Sequence, residues 1–105
     1  MAKICEEMVK FRKYLDEKGI IWRDKSQDFS ISEDYEMWIC RTHFEYNGFF
    51  YSVVNGIGTY GGWHAISGLN DNQGLLEIMS GSINGGEPVG WQTAEECIKL
   101  VFEGE

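Results

Sequence analysis

The chain has 105 residues, with 17 acidic against 9 basic side chains and a formal net charge of −8. At 43% hydrophobic and 14% aromatic it is too apolar for a disordered tail, and its length suits one domain spanning residues 1–105. A field of that sign opposes phosphate backbones and anionic lipid surfaces, and no apolar run reaches the ~20 residues of a membrane helix, so neither direct nucleic-acid binding nor membrane insertion is expected.

The first predicted element is a helix over residues 3–18, where Ile4, Met8, Phe11 and Leu15 make one apolar stripe. Glu6 and Lys10 stand at i,i+4 in the favourable order, and Gly19 can stop the helix in left-handed conformation. Residues 20–22 read as a short strand, 25–28 as loop, and Phe29 with Ile31 as a further short strand. Residues 37–46 alternate: Trp38, Cys40, Thr42, Phe44 and Tyr46 on one face, Ile39, Arg41, His43 and Glu45 on the other. Asn47-Gly48 is a two-residue hairpin signal, because the favoured turn needs positive φ at both positions. The return strand is 49–54, and the turn sets its register: Tyr46 opposite Phe49, Phe44 opposite Tyr51, Thr42 opposite Val53, His43 opposite Ser52 and Glu45 opposite Phe50.

Residues 55–74, rich in glycine, read as a long loop of the kind that is usually functional or mobile. A strand over 75–79 and a turn-rich stretch over 81–90 follow. The closing helix starts at Thr93, with Glu96 completing a capping box and Cys97, Ile98, Val101 and Phe102 supplying its apolar stripe. The expected fold is α+β: an N-terminal helix, an antiparallel meander sheet of three to five strands, and a C-terminal helix packed on the same aromatic face. The second sheet face is expected to be partly exposed.

The sequence holds four patterns with chemical potential. Gly56-Ile57-Gly58-Thr59-Tyr60-Gly61 matches a dinucleotide-binding glycine pattern, but Gly62-Trp63-His64 is a poor helix start and no βαβ unit surrounds it, so it reads as a glycine-rich hairpin or bulge. Read as a ligand site, the same loop offers Asn55, Thr59, Tyr60, Trp63 and His64 to a planar molecule. His43 and His64 stand at no metal-ligand spacing from a cysteine, so no metal and no cofactor is expected. Cys40 and His43 fall on opposite faces of a strand, no nucleophile elbow occurs, and Glu77 stands alone as a candidate base, so the chain reads as non-catalytic. Cys5, Cys40 and Cys97 are odd in number and far apart, which fits a reducing cytoplasm, and no secretory signal is read at the start.

Charge distribution is the most informative feature. Lysine and arginine are absent from Thr42 through Ile98, a stretch that holds Glu45, Asp71, Glu77, Glu87, Glu95 and Glu96. Such a surface suits a basic protein partner, with Glu45, Asp71, Glu77 and Glu87 as contacts and Tyr60 and Trp63 as aromatic anchors. It disfavours a strongly held phosphate in the centre of the chain, although Arg12, Lys13, Arg23 and Arg41 could reach one from outside it.

The tail, residues 74–79 followed by Gly86-Glu87-Pro88-Val89-Gly90-Trp91-Gln92-Thr93-Ala94-Glu95-Glu96, resembles small phage and prophage accessory proteins. The resemblance covers the last third, and its motifs are structural. It implies a virus-encoded protein in the cytoplasm of a bacterial host, of anti-defence type. The lead expectation is an acidic inhibitor of a basic host defence protein such as a CRISPR nuclease. The alternative is an oligomeric sponge that sequesters a nucleotide immune signal in a site between subunits. A virion component is a further option.

Overall fold

The computed structural model describes residues 3–32, 34–64 and 71–103. Helix α1 (Glu6–Glu17) is followed by strands β1 (Trp22–Asp24), β2 (Gln27–Asp28), β3 (Trp38–Tyr46), β4 (Phe49–Gly56), β5 (Leu76–Ser80) and β6 (Val89–Gln92), and then by helix α2 (Ala94–Phe102). The sheet is an antiparallel meander in the order β1-β3-β4-β5-β6, with β2 also paired to β3. The fold is α+β as expected, with a wider sheet of six strands rather than three to five.

The Asn47-Gly48 turn sets the β3–β4 register residue for residue, and both turn positions hold positive φ, 53° and 81°. One consequence is a buried aromatic seam. Phe44 stacks on Tyr51 with centroids 5.0 Å apart and meets Phe11 of α1 at 5.8 Å. Met8, Phe11 and Leu15 of α1 and Ala94, Cys97, Val101 and Phe102 of α2 close over the same face. Thr93 and Glu96 form the full capping box, and the Ala94 N–H donates to Glu7 across 2.8 Å, tying the start of α2 to α1.

Differences from the sequence expectation lie where local signals are weak. The first helix begins at Glu6, so Ile4 stays outside it and exposed, and Lys10 pairs with Glu7 at 3.2 Å rather than with Glu6. Gln27 and Asp28 pair with β3 where a loop was expected, while Phe29 and Ile31 lie outside any strand and are exposed. Strand β6 occupies part of the turn-rich stretch, because Val89 and Gln92 find partners in Ile78 and Leu76. Residues 65–70 of the expected long loop lie outside the described residues.

Arg12 joins the layers. Its guanidinium lies 4.5 Å from the Trp22 ring centroid, and it donates to Thr42 Oγ1 at 2.7 Å, to the Arg41 carbonyl at 3.3 Å and to Asp24 at 3.3 Å. An arginine expected as an external phosphate contact is thus committed to holding α1 against the sheet.

Candidate functional site: the open face of the sheet

Alternation in β3, β4 and β5 sends a second set of side chains to the face opposite the helices. Ile39, Arg41, His43, Phe50, Ser52, Val54, Ile57, Gly58, Thr59, Glu77 and Met79 line a depression there of about 420 Å³. Phe50 is 46% exposed and Met79 45% exposed. Among the described residues no helix packs on this face.

His43 sits near the middle of it. Its Nε2 lies 3.1 Å from Ser52 Oγ, and its ring meets Phe50 edge-on at 4.9 Å. Burial, then the positive charges of Arg41, Arg23 and Lys25, hold the imidazole pKa below its ordinary value. A neutral imidazole beside a hydroxyl is a nucleophile–base contact, yet among the described residues no group is hydrogen-bonded to Nδ1 to orient the ring. The three thiols are free, and burial raises the pKa of each, with Cys97 pushed up to about 12. No group of three or more His, Cys, Asp or Glu that could hold a metal occurs among the described residues.

Strand order turns the linear segregation of charge into a lateral one. Arg23 of β1 lies beside His43 of β3, and Arg41 shares that face, so the basic groups gather at one side of the sheet. Arg23 pairs loosely with Glu45 at 3.8 Å, and both side chains are well exposed. Glu77 lies on β5 at the other side, where its Oε1 accepts from the Tyr60 N–H at 2.8 Å. Asp71 and Glu87 are exposed outside the strands. The open face is therefore polarised rather than uniformly negative, because pairing with β3 imports cations from the N-terminal third.

The glycine loop over 56–63 is a packed structural unit. Asn55 is fully buried and donates to the Leu75 carbonyl at 2.8 Å and to Asn72 Oδ1 at 3.1 Å. Thr59 Oγ1 donates to the Gly56 carbonyl at 2.9 Å. A Cβ on Gly62 would lie 1.9 Å from the Gly56 carbonyl oxygen, so only glycine permits this closure. Trp63 is 4% exposed, with its ring against Trp38 at 4.8 Å. Asn55 and Trp63 are thus engaged in the core and do not face a ligand or partner; Tyr60 and His64 remain exposed.

Sequence reasoning passed over Trp91. It is 53% exposed and packs on Tyr60 with centroids 5.2 Å apart. Its signal was an exposed-strand aromatic after Gly90, masked by reading the stretch as a turn and helix introduction.

No family model, curated protein or solved structure matches the chain. Among the described residues no helix is long and apolar enough to cross a membrane.

Proposed function

We propose that this protein is a non-catalytic binding protein that engages a basic protein partner through the open face of its sheet. The observation that carries the reading is that face itself: β3, β4 and β5 present half-exposed Phe50 and Met79 around a depression, with nothing packed over them among the described residues. Net charge of −8 favours encounter with a positive surface. The resemblance of the tail to phage accessory proteins supports reading the partner as a bacterial host defence protein, with a CRISPR nuclease as the leading example.

The test is capture from bacterial lysate at low and high salt, with wild type and the double variant Phe50→Asp, Met79→Asp. A basic protein retained at low salt, released at high salt and lost with the double variant supports the reading. The same captured set on wild type and variant sinks it.

One observation favours a second reading, sequestration of a small nucleotide. Arg41 borders the depression and has no carboxylate partner among the described residues. The site would then be the open face rather than the glycine loop, because the loop's Asn55 and Trp63 are buried. Calorimetric titration with cyclic and linear nucleotides tests it; no heat from wild type, or equal heats from wild type and Arg41→Gln, removes it.

A further inference from the structure

The side of the open face farthest from Arg23 and Arg41 carries a distinct cluster. Register in β5–β6 slips between two pairs, Leu76 with Gln92 and Ile78 with Val89, so Glu77 faces a bulge made by Gly90 and Trp91. Trp91 holds φ +54°, left-handed backbone that is disfavoured for a bulky side chain. Its N–H donates to the Tyr60 carbonyl at 3.0 Å, and the Tyr60 N–H donates in turn to Glu77. Tyr60 seats directly on Gly90, where a Cβ would lie 2.2 Å from the Tyr60 Cβ. The outcome is two adjoining rings, 54% and 53% exposed, beside a carboxylate. An exposed indole kept in strained backbone points to a role other than folding.

We infer that Tyr60, Trp91 and Glu77 form a recognition site for an arginine side chain of the basic partner, an inference that rests on the open-face reading above. A guanidinium is planar, stacks on aromatic faces and bonds a carboxylate through its edge, which a lysine ammonium does less well. The molecule already contains this arrangement once: the Arg12 guanidinium lies over Trp22 while it bonds Asp24. Strands β4, β5, β6 and the segments between them contain no lysine or arginine; Arg41 of β3 lines the same depression two strands away, and among the described residues no cation is ion-paired with Glu77. Charge complementarity therefore selects a partner segment that supplies the missing cation.

The probe is an end-capped Gly/Ser octapeptide bearing two arginines, compared with its lysine and citrulline counterparts and titrated into isotope-labelled protein with the indole N–H signals as readout. The arginine peptide is expected to shift the Trp91 signal, to bind more tightly than the lysine peptide, and to exceed the uncharged one by about tenfold or more. Trp91→Gly suits the left-handed backbone, so it should hold or raise Tm while weakening the arginine peptide about tenfold. Glu77→Gln keeps an acceptor for Tyr60 and should weaken it about threefold. Failure of wild type to bind any of the peptides overturns the site, as does equal affinity of wild type, Trp91→Gly and Glu77→Gln. Arginine-peptide binding that survives Trp91→Gly but is lost in the Phe50→Asp, Met79→Asp variant also overturns this site, while leaving the open-face reading standing.

Discussion

The two faces of this sheet are built by the same strands, yet one is sealed and the other open. Phe44 and Phe50 are the same residue type on adjacent strands of one hairpin; Phe44 is fully buried and Phe50 half exposed. What separates them is parity along the strand. Even positions of β3 and odd positions of β4 meet the apolar stripes of α1 and α2, while the opposite positions carry Arg41, His43 and Ser52 among the apolar groups. Burial here follows position in the pleat and a covering helix, not the hydrophobicity of the residue alone.

The largest expected effect tests that contrast directly. Phe44→Ala should cost about 3–5 kcal/mol in urea denaturation, from lost burial plus the cavity left behind. Phe50→Ala should cost less than about 1 kcal/mol while weakening partner binding. Equal losses would mean that the outer face is also a folding surface.

Next comes the loop that borders the open face. Gly62→Ala drives a Cβ into the Gly56 carbonyl and should cost about 2–3 kcal/mol. At Gly58, which has φ +75° but open space around it, alanine should cost about 1 kcal/mol. Similar small losses at both would show that the loop is not packed. On the helix side, Thr93→Ala removes the cap that accepts from the Glu96 N–H and should cost about 1 kcal/mol, with no effect on partner binding.

The smallest effects are pH slopes, one from each face. Glu7 on the helix side accepts from the Ala94 backbone N–H, and this bond, followed by Lys10, holds its carboxyl below the usual range. The unfolded chain therefore binds more protons in acid, so this contribution is present above the ordinary carboxylate value of about 4 and is lost as pH falls through the depressed one. Glu7→Gln should flatten the acid limb of a stability-versus-pH curve. His43 on the open face is held neutral, also with a depressed pKa. The unfolded imidazole takes its proton first, so stability should fall as pH drops below about 6.5, and His43→Gln should remove that slope.

Much of the fold was legible because its signals are local. The Met8-Phe11-Leu15 part of the α1 period, the alternation of β3, the Asn47-Gly48 turn and the Thr93–Glu96 box each act within a few residues, and each stands where expected. Strands β2 and β6 were not legible, since Gln27-Asp28 and Val89–Gln92 carry little strand pattern of their own and are extended by partners in β3 and β5. For the candidate site, the sequence indicated an exposed second face and an acidic stretch but not how the charges would be arranged. Arg23 lies 20 or so residues from His43 in sequence and directly beside it in the sheet.

Two dipeptides mark the boundary between what the sequence determined and what the tertiary structure decided. Helix, hairpin and cap are written in short-range periodicity and turn chemistry, so the α+β order follows from the chain alone. Gly62-Trp63 and Gly90-Trp91 look alike locally, but their tryptophans have opposite fates. Trp63 is drawn inward against Trp38 because Gly62 lets the loop close on Gly56. Trp91 is left at the surface because the β5–β6 bulge gives it left-handed backbone beside Tyr60. Neither outcome is encoded within a few residues; each depends on strands and loops brought together from distant parts of the chain.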